Sequence, residues 1–295
     1  MSARLSALLA SASVEVSSSA SDLGVLADHF PAGAGVSITF LPGDNYRRNV
    51  ETAASLRRAG FDPVPHIAAR ELPSREALND FLVRARREAD VRRVVLIAGD
   101  VAAAKGPFKS SRDVAASGLI EAHGINAVSV AGYPEGHPWL EGPHAFDALA
   151  SWQGWGTRSG VRVDIMTQFC FESGPILTWL GELQTRGIGL PVAVGLAGPA
   201  TLATLTKFGL RCGVGNSMRA LRGHIGRFGR LLTDNGPDEV VRGLMAAPPS
   251  ATAAMSGFHL FPFGGLRKAG RWLRDVQDEL QAPPRAAPQG AVQNP

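Results

Sequence analysis

The sequence predicts a single (β/α)8 barrel, a TIM barrel with parallel strands, on three observations. Short β-branched runs alternate with longer amphipathic segments from one end of the chain to the other, the pattern of βα units around a parallel sheet. Eight such runs can be counted. No G-x-G-x-x-G follows the first of them, which argues against an open doubly wound sheet. With 295 residues, 45% hydrophobic and 19% charged, the chain can bury a full-sized core as one domain.

The expected strands are Ser13 to Ser17, Val36 to Phe40, Asp62 to His66, Arg93 to Ile97, Asn126 to Ala131, Val163 to Gln168, Pro191 to Gly195 and Gly257 to Phe261. Several are near-continuous apolar runs, as strands covered on both faces require. Helical periodicity covers Asn49 to Ala59, Ser74 to Glu88, Ser110 to His123, Gly174 to Thr185, Pro199 to Phe208, Ser217 to Leu232 and Gly265 to Leu280, with an extra helix at Pro237 to Met245 before the last strand. The barrel is expected over residues 1–281 and a disordered Pro-rich tail over 282–295.

Composition removes several classes of function. Thirty-four glycines and twenty prolines without a short period indicate many turns, not a fibrous or low-complexity chain. Cys170 and Cys212 are too few for a disulfide framework and are not spaced as a metal clip, so a reducing compartment and no metal are expected. The opening MSARLSALLASASVEV is interrupted by Ser6, Ser11 and Ser13, and no stretch approaches the roughly 18 apolar residues of a membrane span, so the expected location is cytoplasmic and no membrane partner is expected. The net charge of +4 comes with scattered arginines. The densest group, Arg219, Arg222, Arg227 and Arg230, has the spacing of a solvated helix face, so nucleic acid is not an expected partner.

In such a barrel the site lies at the carboxyl ends of the strands. Those ends read Glu15, Thr39, His66, Gly99-Asp100, Tyr133 to His137, Gln168 and His259. In SVEVS, alternation places Glu15 opposite to Val14 and Val16, inside the barrel mouth if the valines face the helices. A desolvated carboxyl there would have a raised pKa and suit general acid catalysis; the other reading is a structural Glu paired to an arginine. Asp100 closes VVLIAGD, either in the site or as a cap of the next segment. The rigid VAGYPEGHP loop displays Tyr133, Glu135 and His137 together. Gln168, after VDIM, has an amide that can donate and accept at once, as recognition of a pterin or amide edge requires. GxSxG, P-loop and HExxH motifs are absent, as is a strand-end lysine placed for a Schiff base.

These segments resemble the methylenetetrahydrofolate reductase family of the short bacterial type. AGYPEGHP at Ala131 to Pro138 and TQFCFE at Thr167 to Glu172 are similar to the family's AYPExHP and TQFFFD. IAGD at Ile97 to Asp100, PHI at Pro65 to Ile67 and VSITF at Val36 to Phe40 add support in the same order. The resemblance implies a (β/α)8 barrel that binds FAD and passes a hydride from NADH or NADPH to 5,10-methylenetetrahydrofolate. It implies Glu15 as general acid, Asp100 near flavin and pterin, Gln168 on the folate, Phe208 stacked on the nicotinamide or folate, and Thr39, His66, Gly99, Tyr133 and His137 on the flavin.

The chain also departs from the family pattern. VEVSSS stands where the family has FEFFPP, Ala98 stands where an arginine precedes Gly-Asp, and LASWQGWGTRSG lacks the family's lysine. Three alternatives therefore stay open: flavin-independent reduction of folate by NAD(P)H, a folate-binding partner of a methyl-transfer or demethylation system without turnover of its own, and an unrelated barrel enzyme using Glu15 and Asp100 as an acid/base pair. The direction of reaction and the oligomeric state are open as well.

Overall fold

Eight strands close on themselves in sequence order. They are β1 Ser13–Val16, β2 Gly35–Ile38, β3 Asp62–Ala68, β4 Arg93–Ile97, β5 Ala127–Gly132, β6 Arg162–Cys170, β7 Val192–Ala197 and β8 Met255–Phe261. Every neighbouring pair is parallel, including β8 with β1, so the chain is a (β/α)8 barrel. This computed structural model describes residues 2–20, 23–137, 140, 142–212 and 236–281. The expected helix at Ser217 to Leu232 and the tail over 282–295 lie outside the described residues.

The helices between the strands follow local chemistry. Tyr46–Arg58 starts where the Asn45 side chain accepts from the Arg47 N–H at 3.0 Å, and Arg75–Ala89 where the Ser74 hydroxyl accepts from Ala77 N–H at 3.2 Å. The segment expected as one helix over Ser110 to His123 is two, Ser111–Ala116 and Leu119–Ala122. Gly118, at φ +70°, turns left-handed between them and ends the first. The expected extra helix before the last strand is Asp238–Ala246. Three helices escape the periodicity: Ser2–Ala10, Gly24–His29 and Gly142–Ser159. The first two are short; the third carries three glycines and a thin apolar stripe of which only Leu149 and Trp152 are buried. Among the described residues no helix is long and apolar enough to cross a membrane.

The main core lies between sheet and helices. Val14, Val36, Ile38, Val94, Leu96, Val128 and Ile165 point outward from the strands and are at most 1% exposed, packed against helix residues such as Leu56, Leu78, Phe81 and Ile176. The barrel interior is much more polar. Registration places Glu15 beside Ser37 and Ser13 beside His259. Lower down, the Arg93 guanidinium lies 3.7 Å from Asp62 and 4.0 Å from Asp164.

Two irregularities shape the mouth. Asp62 N–H bonds to the carbonyl of Ala34, just before β2, so alternation turns the odd-numbered nitrogens of β3 toward β4, and Pro63 and Pro65 have no N–H to offer. The β3–β4 register accordingly begins at His66. Between β6 and β7 the register slips between Met166 and Phe169, a bulge at Thr167 and Gln168. The Thr167 hydroxyl stitches it, accepting from Gly195 N–H at 2.8 Å and donating to the Gln168 carbonyl at 2.8 Å. A Cβ on Gly195 would lie 2.4 Å from the Thr167 carbonyl oxygen, so only glycine fits beside the bulge. Gly195→Ala is expected to destabilise the protein by about 1–3 kcal/mol, the usual range for overpacking a tight contact, measured by urea unfolding.

Candidate active site at the carboxyl face of the barrel

Glu15 is the centre of the mouth. Val14 and Val16 pack outward at 0% and 4% exposure, and the carboxyl between them points inward. Its Oε2 lies 3.8 Å from His66 Nε2 and 4.0 Å from His259 Nε2. Its nearby charge partners are thus two imidazoles, not the arginine of the structural reading. His259 is fully buried and held at both ring nitrogens, with Ser13 Oγ 2.8 Å from Nδ1 and Ser37 Oγ 3.4 Å from Nε2.

Burial sets the protonation of this cluster. It raises the Glu15 carboxyl to about 8 and lowers His66 to about 4. His259 falls to about 3, through burial first and repulsion by His66 second. At neutral pH all three are uncharged, and Glu15 holds a transferable proton. The arrangement is that of a general acid kept neutral by its site.

A second group forms on the next strands. Asp100 is exposed at the end of β4, and the first helix after it is capped by Asp113, whose carboxylate accepts from Lys109 N–H at 2.8 Å and Ser110 N–H at 2.9 Å. Asp100 is therefore not the cap that one sequence reading allowed. Tyr133 and His137 stack obliquely with ring centroids 4.6 Å apart. Both feel Asp100: burial and then the carboxylate push the Tyr133 phenol up, while burial lowers His137 and Asp100 pulls it partly back. Glu135 of the same loop turns elsewhere and hydrogen-bonds Cys170, whose thiol is pushed up by burial first and Glu135 second. Gly99, at φ +91°, has an internal reason to be glycine, because a Cβ there would lie 3.3 Å from the Ala68 Cβ.

Several polar atoms converge on the mouth without a hydrogen-bond partner among the described residues. They are Thr39 Oγ1, His66 Nε2 and both amide atoms of Gln168, all fully buried. Buried polar atoms left unpaired by their own chain are costly, and a ligand that bonds them recovers that cost. Next to these polar residues, with the Phe261 ring 4.8 Å from that of His259, stands an aromatic cluster that sequence reasoning found only through Phe208. Phe208 stacks on Phe263 at 4.3 Å and 17°, Phe263 lies 5.9 Å from Phe261, and Phe169 meets Phe171, Phe261 and Phe263 edge-on. The signal is present in TQFCF and FHLFPF, where period-2 aromatics run through a strand end. His259 is visible in the sequence as a polar strand end, but its role beside Glu15 is not. Among the described residues no group of three His, Cys, Asp or Glu side chains is placed to hold a metal.

The chain matches no protein-family model. Its fold is similar to that of an uncharacterized protein from Clostridium thermocellum that binds two copies of 5-methyl-5,6,7,8-tetrahydrofolic acid, with 11% identity over 92% of this chain and 94% of that one and a TM-score of 0.58. Weaker likenesses are a GH18 chitinase from Pseudoalteromonas aurantia (9% identity, 91% and 99% covered, TM-score 0.49) and a dihydropteroate synthase from Thermus thermophilus (16%, 90% and 93%, 0.43). At such identities the likeness is one of fold.

The pKa values give a sign to stability. Folded Glu15 keeps its proton up to about pH 8 whereas the unfolded carboxyl loses it near 4.5, so Glu15 makes stability fall as pH rises through that window. Folded His66 and His259 stay neutral down to about 4 and 3 whereas the unfolded rings charge near 6.5, so they make stability rise with pH up to 6.5. The wild type is expected to lose stability between pH 6.5 and 8 and Glu15→Gln to abolish that decline, read as melting temperature against pH.

Proposed function

We propose that the protein is an oxidoreductase of reduced folates that interconverts 5,10-methylenetetrahydrofolate and 5-methyltetrahydrofolate, with NADH or NADPH as hydride donor. The observation that carries this reading is the neutral Glu15 carboxyl, 3.8 and 4.0 Å from two neutral imidazoles at the barrel mouth. The fold neighbour that binds 5-methyl-5,6,7,8-tetrahydrofolic acid and the ordered sequence resemblance support the choice of folate.

The methylene carbon of the substrate bridges two folate nitrogens. Glu15 donates its proton to one of them, that carbon–nitrogen bond breaks, and the electron pair of the other nitrogen forms an iminium with the methylene. Hydride addition to the iminium carbon completes the methyl group. A carboxylic acid with a pKa near working pH suits the first step, because it is still protonated yet gives up the proton readily. Ser13 and Ser37 hold His259 beside Glu15, and His66 also flanks it, so the carboxyl is largely buried yet still 18% exposed at the mouth, where a ligand can reach it. The Gln168 amide, both of whose atoms lack a partner among the described residues, would bond the pterin edge, and the Phe208 face would stack on a flat ring of the ligand.

The reading assigns FAD to the remaining arc. Thr39, His66, Gly99, Tyr133 and His137 lie on β2 to β5 or the segments that follow them, four consecutive strands, and the unpartnered Thr39 hydroxyl favours a polar ligand there. When bound, FAD would carry the hydride between nicotinamide and folate. We place the functional barrel within residues 1–281.

Two measurements test the proposal. Wild-type protein should bind 5-methyltetrahydrofolate by calorimetry, and Glu15→Gln should keep that affinity while losing activity by about 10²- to 10⁴-fold, the range for removal of a general acid. Full activity in Glu15→Gln, or no folate binding by the wild type, overturns it. Absorbance at about 450 nm in the purified protein reports the flavin, and a colourless protein active with NADH alone replaces FAD by direct hydride transfer.

A further inference from the structure

The segment from Ala98 to Ser110 leaves the end of β4 with Asp100 near its start. It is tied to the exit of β3 at several points. Arg70 N–H donates to the Ala98 carbonyl at 2.9 Å, and Lys105 N–H donates to the Arg70 carbonyl at 2.8 Å. The Arg70 guanidinium reaches the Lys109 carbonyl at 3.0 Å and the Val101 carbonyl at 3.3 Å. Gly106 is pressed on the carbonyls of Leu72 and Pro73, where a Cβ would come within 2.5 and 2.4 Å.

Beneath this segment lies Glu71. Its side chain is 2% exposed, and its carboxylate is ion-paired with the Lys105 ammonium, which is 50% exposed. A Cβ on Gly99 would have the Glu71 Cγ and Ala68 as its neighbours, so the buried acid packs directly under the residue before Asp100. A buried carboxylate holds its cation strongly, because separating the pair leaves an uncompensated charge out of water. The backbone bonds anchor positions 98 and 105, and Asp100 lies between the two anchors.

We propose that the Glu71–Lys105 ion pair is a latch that fixes the Ala98–Ser110 segment and thereby positions Asp100 against Tyr133 and His137. The residues are positioning residues, since neither reaches the mouth itself. The latch rests on reading that mouth as a ligand site, but its first test needs no ligand.

In Lys105→Met the His137 imidazole, followed by NMR titration, should titrate at lower pH than in the wild type and match Asp100→Asn, because the carboxylate that holds it up has moved away. Lys105→Arg should restore the wild-type titration. The affinity for 5-methyltetrahydrofolate should fall about tenfold in Lys105→Met, a coupling of ordinary size within one network, and Lys105→Met should add nothing in the Asp100→Asn background. An unchanged His137 titration, or additive effects of the two substitutions, overturns the latch. If the wild type binds no folate, the folate reading fails while the His137 titration still decides the latch. If Lys105→Met does not melt cooperatively, Glu71→Gln combined with Lys105→Met removes both charges. That pair should show the same His137 shift, and a wild-type titration in it overturns the proposal.

Discussion

The barrel depends on closing a parallel sheet around polar side chains without leaving a charge uncompensated. A closed sheet has no edge strand, so every interior residue is shielded from water on all sides except the two mouths. Ser13, Glu15, Ser37, His66, Ser129, Asp164 and His259 occupy positions that in many barrels are filled by branched apolar residues. Near the base the chain answers this with compensation, placing Arg93 between Asp62 and Asp164. At the mouth it answers with neutrality, leaving Glu15 protonated and both histidines uncharged. The two solutions differ in consequence: an ion pair keeps its charges in place, whereas a carboxyl kept neutral by burial carries its proton through neutral pH.

The rest of the mouth is arranged by backbone devices that do little for stability by themselves. The prolines of β3 delay its pairing with β4 until His66, and the bulge in β6 turns Gln168 where regular pairing would have placed another residue. Both devices lie where a polar side chain ends without a hydrogen-bond partner among the described residues. Irregular backbone and unpaired polar atoms thus coincide at the mouth, where a ligand could supply the missing bonds. The aromatic cluster packed around the buried Phe169 adjoins them, with Phe171, Phe208, Phe261 and Phe263 only partly buried.

Legibility differs with the range of the interactions. Strand β4, read as Arg93 to Ile97, is found with those bounds because an uninterrupted apolar run buried on both faces has one reading. Helix Gly142–Ser159 escapes the sequence pattern because glycines at 154 and 156 and a sparse apolar stripe hide its period. Glu15 is legible as an inward carboxyl from its two valine neighbours alone. That histidines from β3 and β8 flank it is not legible, since these strands are brought to β1 only by closure of the sheet.

By itself the sequence determined the class of fold, the strand-end polar residues and the inward direction of Glu15, because all three follow from alternation and periodicity within short windows. Only the tertiary structure decided the protonation of Glu15, the pairing of Tyr133 with His137 beside Asp100, the turn of Glu135 toward Cys170 and the ion pair of Glu71 with Lys105. These depend on burial and on distances between residues far apart in the chain. Desolvation and Coulomb interaction act through space, and local sequence pattern does not encode which strands will share a wall.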